Sequence, residues 1–305
     1  MIRAATLQLA QAVLVVYVVV TIVFVASRLS GDPITYMAPY NATPGQIAEI
    51  KRSVGLNDPL YRQYGRFLWG VVRLDLGRSF RTSQPAIHEV GIRLGRTLEL
   101  GLAAIVFSLL VGVPLGVVAA VSRGSPLDLL ARLLALLGQA TPNFWLGLML
   151  IFLFAVRLKW LPTGGPGGLN HLVLPTITLG ALGAASIMRL TRSGLLDVLG
   201  SDFVRTARAK GLTERMVIFR HTLRHALLPV LTLLGIQVGR VIAGAIVVET
   251  VFAWPGIGRL SITAIQGHDY PVVQACVLVI ATTIVVANLV VDFSYRFVDP
   301  RIGAR

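Results

Sequence analysis

Few residues of this 305-residue chain have the types and spacing that chemistry requires. His221 and His225 lie four positions apart in a stretch of helical character, so their side chains could share one helix face. The zinc-protease motif HExxH needs a glutamate after the first histidine, and Thr222 occupies that position. The sequence also lacks a GxxxxGK[ST] phosphate-binding loop. We therefore predict no catalytic residue, no metal site and no cofactor bound by this chain.

One arginine stands out, because it lies near the centre of an apolar run. Placing a charge such as that of Arg240 at mid-membrane depth costs about 2.5–3.5 kcal/mol on insertion scales. We expect Arg240 to face a water-filled pathway or an acidic partner, although an internal ion pair without any further role is an open alternative. We assign Gln139 and Asn143 to the same candidate pathway. Three acids near the ends of apolar runs are expected to have structural roles: Glu99, Glu249 and Asp292.

The composition is that of a membrane protein. Hydrophobic residues make up 55% of the chain and charged residues only 14%, whereas soluble domains carry about 25% charged residues. The net charge of +14 does not indicate a nucleic-acid partner, because the positive charges are scattered over connecting segments. Anionic lipid headgroups and orientation in the bilayer explain this excess. The single cysteine, Cys276, is expected to be an apolar filler.

Six stretches are apolar and long enough to cross a bilayer as helices, which requires about 20 residues each. They are Leu7–Leu29, Thr97–Val121, Leu129–Val156, Leu172–Leu190, Leu227–Val251 and Val272–Val291. The sequence therefore predicts an all-α polytopic membrane protein. Its division is residues 1–29 (N-terminus and first span), 30–96 (an external segment with amphipathic helices) and 97–305 (a five-helix core with a loop at 191–226). The arginines of that loop place both termini in the cytoplasm.

The stretch Asp202–Val230 is basic, helix-forming and interrupted by glycine, and it lies between two apolar runs. Gly211 permits the backbone conformation that ends one helix and redirects the chain. Ala207 and Gly211, four apart, predict a small-residue surface that another protein can approach closely. Arg205, Arg208 and Leu212 are expected on a neighbouring face. A solvated basic loop that only sets the topology is the alternative.

This stretch resembles the EAA loop of bacterial ATP-binding-cassette (ABC) import permeases, in the version of the dipeptide/oligopeptide/nickel group. Arg205, Thr206 and Ala207 take the E-A-A positions, and Gly211 follows four residues after Ala207. Arg224 departs from the pattern, which often has proline there. Further matches to the same family, in order along the chain, are GDPI (31–34), DLGRSF (75–80), LPTGG (161–165), HLVLPTITLG (171–180), ETVFAWPGIGRL (249–260), DYPVVQ (269–274) and VDPRI (298–302).

The resemblance implies a type I importer permease fold, in which this chain forms half of a translocation pathway in the bacterial cytoplasmic (inner) membrane. It implies coupling to a separate ATPase through the 202–215 loop, with six residues in contact: Arg205, Thr206, Ala207, Lys210, Gly211 and Leu212. The implied partners are a second homologous permease, one or two cytoplasmic ATPase subunits that carry ATP and Mg, and an external substrate-binding lipoprotein or periplasmic protein.

Short peptides are the cargo that this resemblance favours, with glutathione or a nickel chelate as alternatives. A secondary, ion-coupled carrier and a homodimeric channel are the alternative functions. Neither of these would need the basic stretch as a docking segment. Co-purification with a separate ATPase subunit would distinguish them from an ABC permease.

Overall fold

The computed structural model of the chain describes residues 2–29, 43–53 and 57–298, and these residues are predominantly helical. The GDPI motif and residues 299–302 of the VDPRI motif lie outside the described residues, as does the side chain of Asp292. The helices before the midpoint of the chain are α1 (Ile2–Leu29), α2 (Pro44–Ser53), α3 (Leu60–Arg73), α4 (Ala86–Val121), α5 (Pro126–Ala140) and α6 (Asn143–Leu150), which continues as a π-helix over Ile151–Arg157.

The second half of the chain begins with the long helix α7 (Leu169–Leu199) and then has several short helices. These are α8 (Asp202–Ala209), α9 (Glu214–Met216), a π-helical stretch over Val217–Thr222, and α10 (Leu223–Ala226). The remaining helices are α11 (Leu228–Val251), α12 (Ile257–Gln266) and α13 (Tyr270–Val298).

Among the residues that the structure describes, five helices are long and apolar enough to cross a membrane, namely α1, α4, α7, α11 and α13. The predicted third span, Leu129–Val156, is not one continuous helix. It is a pair, α5 and α6 with its π-helical extension, bent by 110° at a short break. Thr141 is extended (ψ 124°), and Pro142, also extended, caps the second helix. Proline disfavours helical geometry in the residue before it, which explains the break.

Helix α4 is longer than the predicted second span, because it begins at Ala86 and not at Thr97. Its first turns contain His88, Glu89 and Arg93, and these polar residues are the reason why the sequence pattern predicts a later start. Nevertheless, Ala86 and Val90 are fully buried in a hydrophobic core. Tertiary packing therefore extends this helix beyond its apolar part.

The chain divides into two compact units, of which unit 1 contains Met1–Thr97 and Pro255–Leu289. Its core is formed by residues from α1, α4, α12 and α13, including Val20, Ile257 and Cys276. A buried polar network ties its loops together. The Ser79 hydroxyl donates to the Asp269 carboxylate, which also accepts the Phe80 amide N–H at 3.2 Å. The DLGRSF and DYPVVQ motifs of the sequence therefore meet in space.

Unit 2 contains Leu98–Trp254 and Val290–Arg305, and it is organised around helix α7. Helix α7 packs against α5, α6 and α11. The LPTGG motif and the first six residues of the ETVFAWPGIGRL motif (249–254) meet in this unit, where the Gly165 amide N–H donates to the Phe252 carbonyl at 2.7 Å. A Cβ on Gly164 would lie 2.0 Å from the same carbonyl oxygen, so only glycine fits there.

Candidate functional site

The basic segment, residues 202–226, connects helices α7 and α11 in unit 2. It begins with α8, whose eight residues carry Arg205 and Arg208, turns at Gly211, and continues through α9, the π-helical stretch and α10. The prediction of two short helices separated by a glycine matches this geometry.

The turn depends on the backbone conformation of Gly211. Its φ is +78°, in the left-handed region that side chains disfavour, and its amide N–H donates to the Arg208 carbonyl at 2.9 Å. A Cβ added to Gly211 would meet no atom within 4 Å. The requirement for glycine is therefore conformational and not steric, because only the dihedral angle excludes other residues.

The inner face of α8 is apolar and packs on the segment's second half. Val204, Ala207 and Val217 form a buried cluster, and the partly buried Leu212 packs against it. The prediction that Ala207 and Gly211 share an exposed small-residue surface is therefore wrong. Ala207 is only 8% exposed and faces inward, because its methyl group fills the space between the two halves of the segment.

The outer face of α8 is polar and exposed. Arg205, Thr206 and Lys210 all lie on the surface. Arg205 forms an ion pair with Asp202, three residues before it, and Arg208 donates to both carboxylate oxygens of Glu214 at 2.7 and 3.2 Å. The hydrogen bond to Glu214 raises the pKa of Arg208 above its ordinary value. This exposed pair bridges α8 and α9 across the Gly211 turn.

The segment is attached to the long helices by its second half. Ile218 and Ala226 share a buried cluster with Val117 and Ala120 of α4 and with Leu195 of α7. Gly194 of α7 allows this approach, since a Cβ there would lie 3.0 Å from the Ala226 carbonyl oxygen. The segment therefore exposes one charged face and packs its apolar residues against two long helices.

The two histidines lie in the second half of this segment. His221 is half-buried, and the ring of His225 lies 5.5 Å from that of Phe203. Thr222, which occupies the position of the HExxH glutamate, is buried, and its hydroxyl donates to the Val217 carbonyl at 2.9 Å. Among the described residues, no group of three or more His, Cys, Asp or Glu side chains is arranged to hold a metal ion.

The three candidate pathway residues lie on α5, α6 and α11. Arg240 is exposed on α11, and no acid of the described chain forms an ion pair with it. The Asn143 side-chain nitrogen lies 3.6 Å from the Cβ position of Gly244, one turn after Arg240. Asn143 and Arg240 therefore border the same stretch of α11. Gln139 is exposed near the end of α5, on the other side of the α5–α6 bend.

One ion pair at the start of α5 was not predicted from the sequence. Asp128 is buried, and Arg192 of α7 donates to both of its carboxylate oxygens at 2.8 and 2.9 Å. The Gly124 amide and the Arg132 guanidinium approach the same carboxylate, at 3.0 and 3.3 Å. In the sequence, Arg192 is only one of the arginines of the 191–226 loop that predict the topology. The separation of 64 residues between the partners left no local signal for the pair.

Comparison with known proteins identifies the chain's relatives. Residues 112–304 match the family of the binding-protein-dependent transport system inner membrane component, and residues 1–101 match the N-terminal family of the same membrane components. The dipeptide transport system permease protein DppB of Escherichia coli (strain K12) is 43% identical over 306 residues, which cover 90% of each chain. The glutathione transport system permease protein GsiC of the same strain is 40% identical, with 94% of each chain covered.

Solved structures show the same fold at low sequence identity. The MetNI methionine ABC transporter in an inward-facing conformation superposes with a TM-score of 0.59 at 18% identity, covering 69% of this chain and 96% of that chain. An amino acid ABC transporter crystallised with histidines gives 0.51 at 20% identity, covering 70% and 94%. The chain therefore belongs to the family of binding-protein-dependent transport system inner membrane components, the multi-pass permease subunits of ABC importers.

Proposed function

We propose that this permease forms half of a translocation pathway for short peptides and receives the force of ATP hydrolysis through its basic segment. The single observation that carries the proposal is the construction of this segment. It exposes a short charged helix, while its buried side packs on α4 and α7 through Ile218 and Ala226. A helix held in this way can serve as a contact for another protein and transmit displacement to the membrane helices.

The proposed contact residues are Arg205, Thr206, Lys210 and the Gly211 turn, with Ala207 and Leu212 supporting them from inside. The partner is one or two cytoplasmic ATPase subunits, which carry ATP and Mg; this chain binds neither. A second, homologous permease completes the pathway, and an external substrate-binding protein delivers the cargo. Both termini of this chain lie in the cytoplasm, on the same side as the basic segment.

The cargo proposal follows from the relatives, which include a dipeptide permease and a glutathione permease at similar identity. Both of these substrates are short peptides with free carboxylates. Arg240, an exposed cation on α11, offers a group that binds carboxylate in a forked geometry. Glutathione and nickel chelates are the alternative cargoes, and competition against dipeptide uptake in the reconstituted complex distinguishes the three.

The test of coupling uses three variants of the assembled transporter. In Gly211→Val a β-branched residue must adopt a φ of +78°, so the turn should distort, because left-handed geometry costs about 1–2 kcal/mol for a residue with a Cβ. Gly211→Asn should be tolerated, because asparagine visits this region more readily. Gly165→Val is the matched control, since Gly165 also has a positive φ (+81°) and open space around its Cβ position.

We expect Gly211→Val to insert and assemble but to lose substrate-stimulated ATP hydrolysis and uptake, while Gly211→Asn retains most of both. Gly165→Val carries the same backbone strain in another connection, so its coupling ratio of uptake to ATP hydrolysis should stay normal. The measurements are uptake into vesicles and phosphate release, with expression followed in parallel. If Gly211→Val transports as the parent does, the basic segment is not the ATPase contact.

A further inference from the structure

A cavity of about 400 Å³ lies in unit 1, beside the end of the membrane helix α1. Three arginines line it, Arg28 from α1 and Arg66 and Arg73 from α3, together with Phe67, Trp69 and Asp75. None of these residues belongs to the basic segment or to the candidate pathway. The cavity is therefore a separate feature that the importer mechanism above does not use.

The cavity exists because α3 packs against the last turns of α1. The Thr21 and Tyr64 hydroxyls are 2.7 Å apart, and the ring of Phe24 contacts those of Tyr64 and Phe67 at centroid distances of 5.2 and 5.5 Å. The Gln63 side chain is buried and donates to the Asp58 carbonyl at 2.7 Å. These contacts hold the arginines of the two helices on one side of the junction.

The charges around the cavity are predominantly positive. Arg66 forms an ion pair with Asp58, and the Asp75 carboxylate accepts the Gly77 amide N–H at 3.2 Å. The guanidinium of Arg28 lies 5.3 Å from the ring centroid of Phe24, and that of Arg73 lies 4.5 Å from the centroid of Trp69. Both guanidinium groups are thus held beside aromatic rings at the cavity wall, and the exposed Arg73 can offer N–H donors to an anion there.

The position of the cavity beside a membrane helix favours a lipid headgroup as the anion. Helix α1 provides a membrane span, Gln8–Leu29, and Arg28 is in its last turn. Helix α3 exposes large apolar and aromatic side chains next to its arginines, including Tyr61, Trp69 and Val72, which are 70%, 57% and 74% exposed. Aromatic and basic residues mixed in this way are typical of helices that lie at the boundary between headgroups and acyl chains.

We propose that this cavity binds the phosphate headgroup of an anionic phospholipid, such as phosphatidylglycerol, from the leaflet at the C-terminal end of α1. Arginine binds phosphate oxygens through two parallel N–H donors, and the volume accommodates a headgroup. The acyl chains would lie in the bilayer beside α1, which exposes Val18, Ile22 and Val25 along its length. The bound lipid would anchor the α1–α3 junction at the membrane surface.

The experiment compares lipids in nanodiscs that contain the assembled transporter. Trp69 is the reporter, and its signal is isolated by subtracting the fluorescence of a Trp69→Phe variant. Phosphatidylglycerol brominated near the carbonyl end of its acyl chains should quench Trp69 more than brominated phosphatidylcholine at equal mole fraction. Retention of phosphatidylglycerol through purification, measured by mass spectrometry, is a second readout that does not depend on the tryptophan.

Arg73→Gln should lower the preference for phosphatidylglycerol about tenfold, because the variant loses the charge-assisted hydrogen bonds from the guanidinium to the phosphate. Arg73 is exposed, so this variant should fold. Arg62→Gln is the matched control, because Arg62 is exposed on the same helix and lies over Tyr61 at 5.9 Å, but does not line the cavity. Its preference should equal that of the parent.

Four results would overturn the proposal. Equal quenching and equal retention of the two lipids would show that the cavity does not select an anionic headgroup. Loss of the preference in millimolar inorganic phosphate would identify a site for free phosphate and not for lipid. An Arg73→Gln variant that keeps the parental preference, or an Arg62→Gln variant that loses as much, would mean that general surface charge and not this cavity attracts the lipid.

Discussion

Helices α4 and α7 cross with their backbones almost in contact. We therefore predict that adding a methyl group at this crossing lowers the free energy of unfolding. A Cβ on Gly116 would lie 2.6 Å from the Thr191 Cβ and 2.7 Å from the Met188 carbonyl oxygen. A Cβ on Gly112, one turn earlier, would lie 2.7 Å from the Ala184 carbonyl oxygen. Small residues four apart are the means by which membrane helices approach this closely. No atom that the added methyl group would meet is the end of a flexible side chain.

The expected cost of Gly116→Ala is a balance of two opposing effects. Overpacking a tight site costs about 1–3 kcal/mol of the free energy of unfolding. Replacing a glycine inside a helix by alanine raises the free energy of unfolding by up to about 1 kcal/mol, because alanine has the higher helix propensity. Because Gly116 has two contacts below 2.8 Å, the cost falls in the upper part of its range. The net loss should therefore be about 1–2 kcal/mol.

The same helix supplies a control variant that should not be destabilised. Gly91 and Gly95 are exposed on α4, and a Cβ on either would meet no atom within 4 Å. Alanine at Gly95 should leave the protein unchanged or stabilise it by up to about 1 kcal/mol. The comparison of Gly116→Ala with Gly95→Ala thus holds the substitution and the helix constant and varies only the packing.

The assay is reversible unfolding of the full chain in lipid bicelles, driven by sodium dodecyl sulfate and followed by circular dichroism. Gly116→Ala should unfold at lower detergent fraction than the parent, and Gly95→Ala at the same or higher fraction. If the two variants unfold together, the close crossing of α4 and α7 does not exist in the membrane and the packing argument fails.

Two further predictions concern the pathway and the topology. Arg240→Leu should insert as well as the parent, because a charge that costs about 2.5–3.5 kcal/mol at mid-membrane depth is removed, yet peptide uptake should fall or change selectivity. Arg240→Lys should have uptake between those of Arg240→Leu and the parent, since an ammonium group cannot form the planar, two-bond contact of a guanidinium with a carboxylate. Unchanged uptake and selectivity in Arg240→Leu would exclude a pathway role for Arg240. A cysteine at Ser83 should react with an impermeant thiol reagent outside intact cells and one at Thr213 should not; the reverse pattern would overturn the cytoplasmic placement of the termini.

The membrane helices were predictable from the sequence because apolar length is a local property. The ends of these helices were not, because they depend on burial. Helix α4 starts at Ala86 through packing of Val90, and the bend at Pro142 has an angle of 110° that no proline specifies alone. Helix α12, in the connection before the last span, was also missed. It is too short for a span, although Ile257, Ser261 and Ala264 are buried at helical spacing.

The candidate site was predictable to the extent that its signals are local. Gly211 and the arginines on either side of it predict a turn between two short helices, and the structure contains this turn. The direction of each side chain required the fold, and Ala207 faces inward because a second segment, around Val217, covers it. Pairs between distant residues gave no signal, as with Ser79 and Asp269, which are 190 positions apart.

The contacts of α7 suggest how force from the basic segment would reach the membrane under the proposed coupling. At its C-terminal end, Arg192 is fixed to Asp128 of α5, and Leu195 packs with Ile218 of the segment. Toward its middle, α7 contacts α4 at Gly112 and Gly116. These glycines have no side chains that could change rotamer between the two helices, so a displacement of α7 is passed directly to α4. A push on the segment would therefore move α4, α5 and α7 together as a unit, and softening either contact should reduce uptake more than it reduces ATP hydrolysis.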